Sequence, residues 1–219
     1  MTAIAEGLTG ALDGHRLLQH PFYRRWVEGT LGLDELRVYA AQYRHIERAQ
    51  PRWLAGVAER VDNDAARTAV TRVLDDEIDA EGSHADLFDR FAEAIGAPID
   101  MAPSPATVKL LNTLDELVDS GPVFGLGGLL AYELQSPEVS REKADGLRRH
   151  FDLDGDATAF WNTHAELDER HSAWLLEALE ASGGSDSRAV EATRRAAVAW
   201  WAFLDEREAA RPTVSVSGT

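Results

Sequence analysis

The stretch 160-FWNTHAELDERHSAW-174 decides the fold class, because its polar and apolar residues fit one long helix with a chemically distinctive face. His164, Asp168 and His171 stand at positions i, i+4 and i+7. At about 100° of rotation per residue, these side chains fall within roughly 60° of one another on a helix. On its own the stretch also fits a salt-bridged surface helix. A metal site would need further ligands from other helices.

The same helical periodicity runs through the rest of the chain, and strand-type alternation is missing from it. The sequence therefore predicts a compact all-α bundle of about seven to nine helices, in a single domain over residues 1–211 with a disordered tail at 212–219. The other helices are expected at residues 3–13, 34–60, 63–95, 107–120, 122–137 and 187–208, with a short one opened by Pro137.

Composition excludes several classes of protein. The chain has no cysteine, which removes disulfides, thiolate nucleophiles, iron–sulfur clusters and Cys-type zinc sites. With a net charge of −16, the chain lacks the excess of basic residues that is typical of a nucleic-acid binder. No window approaches the ~18 apolar residues of a membrane span, and the N-terminus does not read as a signal peptide. We expect a cytoplasmic protein without a membrane partner.

Three further ligand-type residues lie on the other predicted helices. Glu77 and His84 are seven residues apart, two turns along the same face of the 63–95 helix. Glu133 is the only charged residue in the apolar run 122–137, and an unpaired buried carboxylate costs several kcal/mol. Glu133 must therefore be neutral, paired or bound to a metal.

Together these positions provide three carboxylates and three imidazoles, enough for two divalent metals with open positions. The set resembles the haem-oxygenase-like (TenA/PqqC-like) dimetal oxidases in residue type and order, over roughly residues 15–180. The resemblance implies a dinuclear Fe/Fe or Fe/Mn site that uses O2 and an external reductant. Its six implied ligands are Glu77, His84, Glu133, His164, Asp168 and His171.

Within that superfamily the chain looks most like the chlamydial 4-aminobenzoate synthase subfamily, on the matches Tyr23, Tyr39, Tyr132 and Lys143. That resemblance implies a self-sacrificing reaction in folate biosynthesis, without an external aromatic substrate. Tyr23 would supply the ring and Lys143 the amine. From the residues alone, Tyr23 also fits core packing and Lys143 a surface lysine, although lysine is scarce here, the other being Lys109.

Other interpretations stay open at this stage. One is a dimetal oxidase that cleaves or N-oxygenates a free amino acid or fatty acid. Another is an interaction protein whose metals are only structural. Glu47 is either a partner of a ligand histidine or a surface residue, and the apolar last helix, with Trp200, Trp201 and Phe203, leads us to expect a homodimer.

Overall fold

A computed structural model describes residues 2–79, 83–183 and 187–211, and these contain helices and connecting turns but no strand. The all-α bundle is therefore confirmed. The described residues form eleven α-helical segments and one 3₁₀ turn, Leu17–Gln19. The segments are α1 (Ala3–Ala11), α2 (Pro21–Val27), α3 (Leu33–Glu47), α4 (Gln50–Arg60), α5 (Asp64–Glu77), α6 (His84–Ala94), α7 (Pro105–Asp119), α8 (Pro122–Glu133), α9 (Ser136–Phe151), α10 (Asp156–Ala181) and α11 (Ser187–Ala209).

The helix predicted at residues 34–60 is divided into α3 and α4. Pro51, the second residue of α4, has no N–H, and its ring would clash with the carbonyl of Glu47 in a continuous helix. The prediction of one helix was wrong because this proline was not treated as a break. The division leaves Glu47 at the end of α3.

The helix predicted at residues 63–95 is also divided, because α5 ends at Glu77 and Ser83 caps a new helix. The Ser83 hydroxyl accepts a hydrogen bond from the Asp86 N–H at 3.2 Å, as an N-cap does. Residues 80–82 between the two helices lie outside the described residues. Glu77 and His84 thus meet as the ends of two helices, not as two turns of one helix face.

The helix predicted as short after Pro137 is instead the 16-residue α9. It continues to Phe151, and Asp152 ends it in the left-handed conformation, with φ at 53°. Lys143 therefore lies in the middle of a well-formed helix and not near an end.

Helix α8 is buried nearly all round, and its glycines permit close packing on every side. A Cβ on Gly125 would lie 2.6 Å from Val57, and one on Gly127 would lie 2.5 Å from the carbonyl oxygen of Ala189 in α11. The Thr193 hydroxyl of α11 donates to the Gly127 carbonyl at 2.7 Å. Because α8 also packs against α10, this close approach fixes where Glu133, the last residue of α8, meets the α10 face.

Helix α11 uses most of its apolar residues within the chain. Trp200 and Phe203 are buried in the core, whereas Trp201 is half-buried. The homodimer stays a prediction. The predicted tail at 212–219 lies outside the described residues, and no described helix has the length and apolar character to cross a bilayer.

We expect Gly127→Ala to lower the free energy of unfolding by about 1–3 kcal/mol, because the added methyl overpacks the α8–α11 contact. The matched control is Gly10→Ala at an exposed position of α1, where a Cβ meets no atom within 4 Å. That change should raise stability slightly through helix propensity. Urea unfolding of both variants measures the difference, and equal stability would contradict the packing argument.

Candidate metal centre

The six ligand-type residues come from four helices and converge in the core. Glu77 ends α5, His84 begins α6, Glu133 ends α8, and α10 supplies the other three. All six side chains are buried. Helix α10 packs against α5, α6 and α8, which brings the separate helix ends onto its polar face.

These residues form two groups of three. Glu77, His84 and His164 each offer one ligand atom, and those atoms lie within 4.8 Å of one another. Glu133, Asp168 and His171 do the same. Each group combines carboxylate oxygen with imidazole nitrogen, a donor set that suits iron or manganese.

The two groups are in contact with each other. His84 Nδ1 lies 2.9 Å from Glu77 Oε2, and His171 Nδ1 lies 3.3 Å from Asp168 Oδ1. Across the groups, His171 Nδ1 is 3.9 Å from Glu77 Oε1. Glu77 therefore lies at the contact between the two groups.

Several buried atoms of the site make no hydrogen bond of good geometry within the described residues, although the two imidazole nitrogens among them lie close to a carboxylate. They are His84 Nδ1, Glu133 Oε2, both carboxylate oxygens of Asp168 and His171 Nδ1. A buried polar atom left unpaired costs about 1–3 kcal/mol, and more if it is charged. Divalent cations would satisfy these atoms together, so the residues fit two metal ions.

The outward-facing atoms of the ligands are held by hydrogen bonds. His164 Nδ1 donates to the Phe160 carbonyl at 2.9 Å, which leaves Nε2 for a metal. His171 Nε2 donates to Asp76 Oδ2 at 3.1 Å, and Gln50 Nε2 donates to Glu133 Oε1 at 3.1 Å. Such partners fix ligand orientation and raise metal affinity.

Asp76 and Gln50 were missed in the sequence. Asp76 lies in the acidic run 75–77, where its neighbour Glu77 was the only signal that could have drawn attention to it. Gln50 follows the helical spacing of Tyr43 and Glu47, which indicated a core position but no ligand role, because its contact with Glu133 arises from the break between α3 and α4.

Burial and the charges of neighbouring groups shift the pKa values of Glu133, Asp168 and His171. Burial, with the negative charge of Asp168 added, raises the pKa of Glu133 well above its ordinary value. Burial also favours the neutral form of Asp168, but His164 and His171 outweigh it and lower the pKa of Asp168. Burial opposes the charged form of His171, but Asp168 and Glu133 outweigh that effect and raise its pKa to about 9.

Lys143 is not a surface lysine, because its side chain is 2% exposed in the core. Its Nζ donates to the Tyr39 hydroxyl at 2.8 Å, and that hydroxyl lies 2.8 Å from the hydroxyl of Tyr23. Burial lowers the pKa of Lys143 well below its ordinary value, which favours the neutral, nucleophilic amine. Lys109, in contrast, is exposed.

Aromatic rings enclose the Lys143 amine, and we call this group the lysine cage. The Nζ atom lies 4.6 Å from the ring centroid of Tyr23, 5.0 Å from that of Tyr43 and 5.3 Å from that of Tyr39. The cage also includes Trp161, at 4.1 Å, and Trp26, at 5.8 Å. The sequence predicted Tyr23 and Tyr39 for this site but gave Tyr43 only a packing role.

Tyr132, the remaining tyrosine of the chain, lies apart from the rings that enclose Lys143. Its ring stacks on Trp200 with centroids 4.6 Å apart and lies 6.2 Å from the ring of Tyr43. The hydroxyl of Tyr132 is buried, and this burial raises its pKa well above the ordinary value. Tyr132 is thus beside the metal ligand candidates but not beside the amine.

A narrow pocket of about 20 Å³ opens onto the ligand groups. Glu77, Glu133 and His164 line it, together with Tyr43 and Glu47. This volume holds a water or a molecule of similar size. Glu47 is buried in the pocket wall, so its interpretation as a surface residue was wrong.

Comparison with known proteins agrees with this geometry. The model of a family of iron-containing redox enzymes matches residues 37–202, which is most of the chain. The chain belongs to the iron-containing redox enzyme family. Iron is consistent with the oxygen and nitrogen donors of both ligand groups.

Two relatives in this family are named 4-aminobenzoate synthase. The protein from Nitrosomonas europaea is 34% identical over 212 residues, covering 89% of this chain and 86% of the relative. The protein from Chlamydia pneumoniae is 31% identical over 192 residues, covering 85% of this chain and 86% of the relative. The resemblance to this subfamily is confirmed, and it supports an oxygenase-type function.

Among solved structures, a TenA homologue from Pseudomonas syringae superposes with a TM-score of 0.82 at 16% identity. The match covers 94% of this chain and 93% of that structure. It confirms the TenA-like, haem-oxygenase-like helical fold.

We expect Asp76→Asn to weaken metal binding about 10- to 100-fold, because an amide orients the His171 ring less firmly than a carboxylate does. The matched control is Asp75→Asn, which removes the same charge from an exposed neighbour. Competition with a fluorescent chelator measures both affinities. If both variants lose affinity equally, the effect is one of charge alone and the hydrogen bond is not its cause.

Metal binding should also release protons in a defined pH range. In the metal-free protein the raised pKa of His171 stabilises the fold fully below about pH 6.5, and this stabilisation is lost as pH rises through about 9. A cation needs unprotonated Nδ1, so affinity for Mn²⁺ should rise over this range.

Calorimetry at about pH 7.5, in buffers of different ionisation enthalpy, should detect about one proton or more released per chain. His171→Ala should release fewer. A proton count that does not change between pH 6.5 and 9 would contradict the assignment.

Proposed function

We propose that this protein makes 4-aminobenzoate for folate biosynthesis by an O2-dependent reaction that consumes its own residues. Tyr23 supplies the ring and Lys143 supplies the nitrogen. The observation that carries the proposal is the position of the Lys143 amine, buried and 4.6 Å from the centre of the Tyr23 ring. A lysine on a helix in an ordinary structural role would extend its charge to solvent.

The geometry favours Tyr23 over the other tyrosines as the ring source. A carbon–nitrogen bond on the ring requires the amine to approach the ring face, and the Tyr23 centroid is the nearest of the three tyrosine rings around Nζ. The neutral form of the amine, which burial favours, has the lone pair that this bond requires. The Tyr39 hydroxyl is hydrogen-bonded to both the Lys143 amine and the Tyr23 hydroxyl, and so keeps these two groups close together.

The six ligand candidates would hold an Fe/Fe or Fe/Mn pair. When bound, the metals would supply the activation of O2, with electrons from an external reductant. The chain contributes the exclusion of water, because the ligands, the amine and the three tyrosines of the lysine cage are buried. It also contributes the fixed orientation of His171 and Glu133 through Asp76 and Gln50.

The small pocket favours this reaction over the oxidation of a free substrate. About 20 Å³ beside the ligand groups suits O2 or water, whereas sites for larger ligands measure about 300 Å³ or more. A role as an interaction protein with structural metals leaves the buried Lys143 without a purpose, at a cost in desolvation.

Labelled tyrosine tests the ring source directly. Protein grown on ring-labelled tyrosine, loaded with metals, reduced and given O2 should release labelled 4-aminobenzoate at no more than about one per chain, since each chain holds one Tyr23. The peptide that contains Tyr23 should lose mass to the same extent. Unlabelled product, or many turnovers on an added molecule with an intact Tyr23 peptide, would refute self-sacrifice.

Two substitutions test the proposed roles. Tyr23→Phe should lose most of the product while keeping both metals. Lys143→Arg should lose it as well, because guanidinium does not readily give up a nitrogen. The control is Lys109→Arg at the only other lysine, which is exposed and should keep full yield. Full yield from Lys143→Arg would exclude Lys143 as the nitrogen source.

A further inference from the structure

The proposed reaction leaves a gap between the place where O2 is used and the residue that is consumed. Within the described residues, the pocket beside the ligand groups is lined by Tyr43, but neither Tyr23 nor Tyr39 reaches its wall. Tyr23 lies in the lysine cage and not in the pocket wall. An oxidising equivalent produced at the pocket must therefore cross the layer of side chains between them.

Tyr43 belongs to both regions. Its ring forms part of the pocket wall with Glu77 and His164, and it also contributes a face to the lysine cage, 5.0 Å from Lys143 Nζ. Its centroid is 5.4 Å from that of Tyr39. It is 1% exposed, so an oxidised ring there would be shielded from solvent reductants.

The path continues from Tyr39 to Tyr23 through a hydrogen bond. Their ring centroids are 6.0 Å apart, and their hydroxyl oxygens are 2.8 Å apart. Tyr39 also accepts a hydrogen bond from the Lys143 amine, which is a proton acceptor in its neutral form. Each step from the pocket to Tyr23 is thus between rings in van der Waals range or between hydroxyls in hydrogen-bond contact.

We propose that Tyr43 is a redox relay that carries oxidation from the pocket through Tyr39 to Tyr23. This inference rests on the proposed function, because it needs the oxidant that O2 forms in the pocket. It assigns a role to a residue that lies outside the predicted tyrosine set.

The relay balances in electrons and protons. Tyr43 gives one hydrogen atom to the O2-derived oxidant and becomes a neutral phenoxyl radical. One electron from Tyr39 then reduces Tyr43, which takes a proton from the carboxyl group of Glu47. The proton of Tyr39 passes to the Lys143 amine, and the Lys143 ammonium returns a proton to the Glu47 carboxylate, so that the amine is neutral again. Tyr23 finally gives a hydrogen atom to Tyr39, so that Tyr23 holds the radical and the oxidant has gained one hydrogen atom.

Glu47 is placed for its part in this sequence. It lies four residues after Tyr43 on α3 and so faces the same side of the helix. Glu47 lines the same pocket wall as Tyr43, so its carboxyl group is placed to exchange a proton there. While Glu47 is ionised and Lys143 is protonated, their opposite charges stabilise each other.

A second aromatic route exists and must be separated from this one. The His164 ring contacts Phe160 at 4.0 Å, and Phe160 contacts Trp161 at 4.7 Å. Trp161 in turn lies 4.1 Å from Lys143 Nζ. This route passes through a phenylalanine, which is much harder to oxidise than a tyrosine, so we favour Tyr43.

The test compares five forms of the full-length, metal-loaded, reduced protein in a single exposure to O2. They are the wild type, Tyr43→Phe, Trp161→Phe, and the protein with either 3-aminotyrosine or 3,5-difluorotyrosine at position 43. Freeze-quenched samples are examined by electron paramagnetic resonance, and the Tyr23 peptide is weighed by mass spectrometry. Metal content and O2 uptake are measured for each form, so that a folding defect is recognised.

The relay predicts that the Tyr43→Phe variant binds both metals and takes up O2, but that its Tyr23 peptide is not cleaved. Aminotyrosine keeps the size of the residue and is oxidised more easily, so it traps the radical at position 43, with an aminotyrosyl signal and an intact Tyr23 peptide. 3,5-Difluorotyrosine at 43 also keeps the hydroxyl, does not trap the radical as aminotyrosine does, and so keeps cleavage; a merely structural role of the hydroxyl would instead give cleavage with both analogues.

Wild-type cleavage in Tyr43→Phe overturns the relay and leaves the proposed function standing. Loss of cleavage in Trp161→Phe alone also overturns it, in favour of the second route. An intact Tyr23 peptide in the wild type refutes the proposed function. In that case an aminotyrosine protein without a radical signal refutes the relay too.

Discussion

The cost of burying charge governs this structure. Six ionisable ligand candidates, Glu47 and Lys143 all lie inside a helical core, where an unpaired charge is expensive. The protein meets that cost in two ways. Carboxylates and imidazoles are grouped so that cations could neutralise them, whereas no carboxylate of the described residues contacts Lys143, and burial lowers the pKa of its amine. The same constraint thus produces a candidate metal centre on one side of Tyr43 and an amine whose neutral form is favoured on the other.

Much of this arrangement could be predicted from the sequence, because it depends on residue type and periodicity. The spacing of His164, Asp168 and His171 defines one polar face of α10, and the structure keeps it. Glu133 was identified as the lone charge in an apolar helix, and that identification depended only on the cost of its burial. The TenA-like fold was implied by the resemblance to the haem-oxygenase-like dimetal oxidases, and the superposition confirms it.

What could not be predicted depends on helix ends and on contacts between distant residues. Glu77 and His84 were placed on one helix, but Ser83 starts a new one, and their meeting is a tertiary contact. Asp76 and Gln50 act through residues 95 and 83 positions away in the chain, a separation that no local pattern encodes. Tyr43 has the helical spacing of a core residue, and only the structure shows that one ring borders two chemically different regions.

A protein that uses its own side chains as substrate needs no opening for an aromatic molecule. The pocket beside the ligands can then be as small as O2 allows, and the tightly packed rings around Lys143 keep water out. That seal is what permits a neutral lysine, because solvent access would return its pKa toward the ordinary value. An enzyme with a free ring substrate would have to open this region in each cycle and admit water with it. Under the proposed function, single use and amine reactivity therefore follow from the same packing.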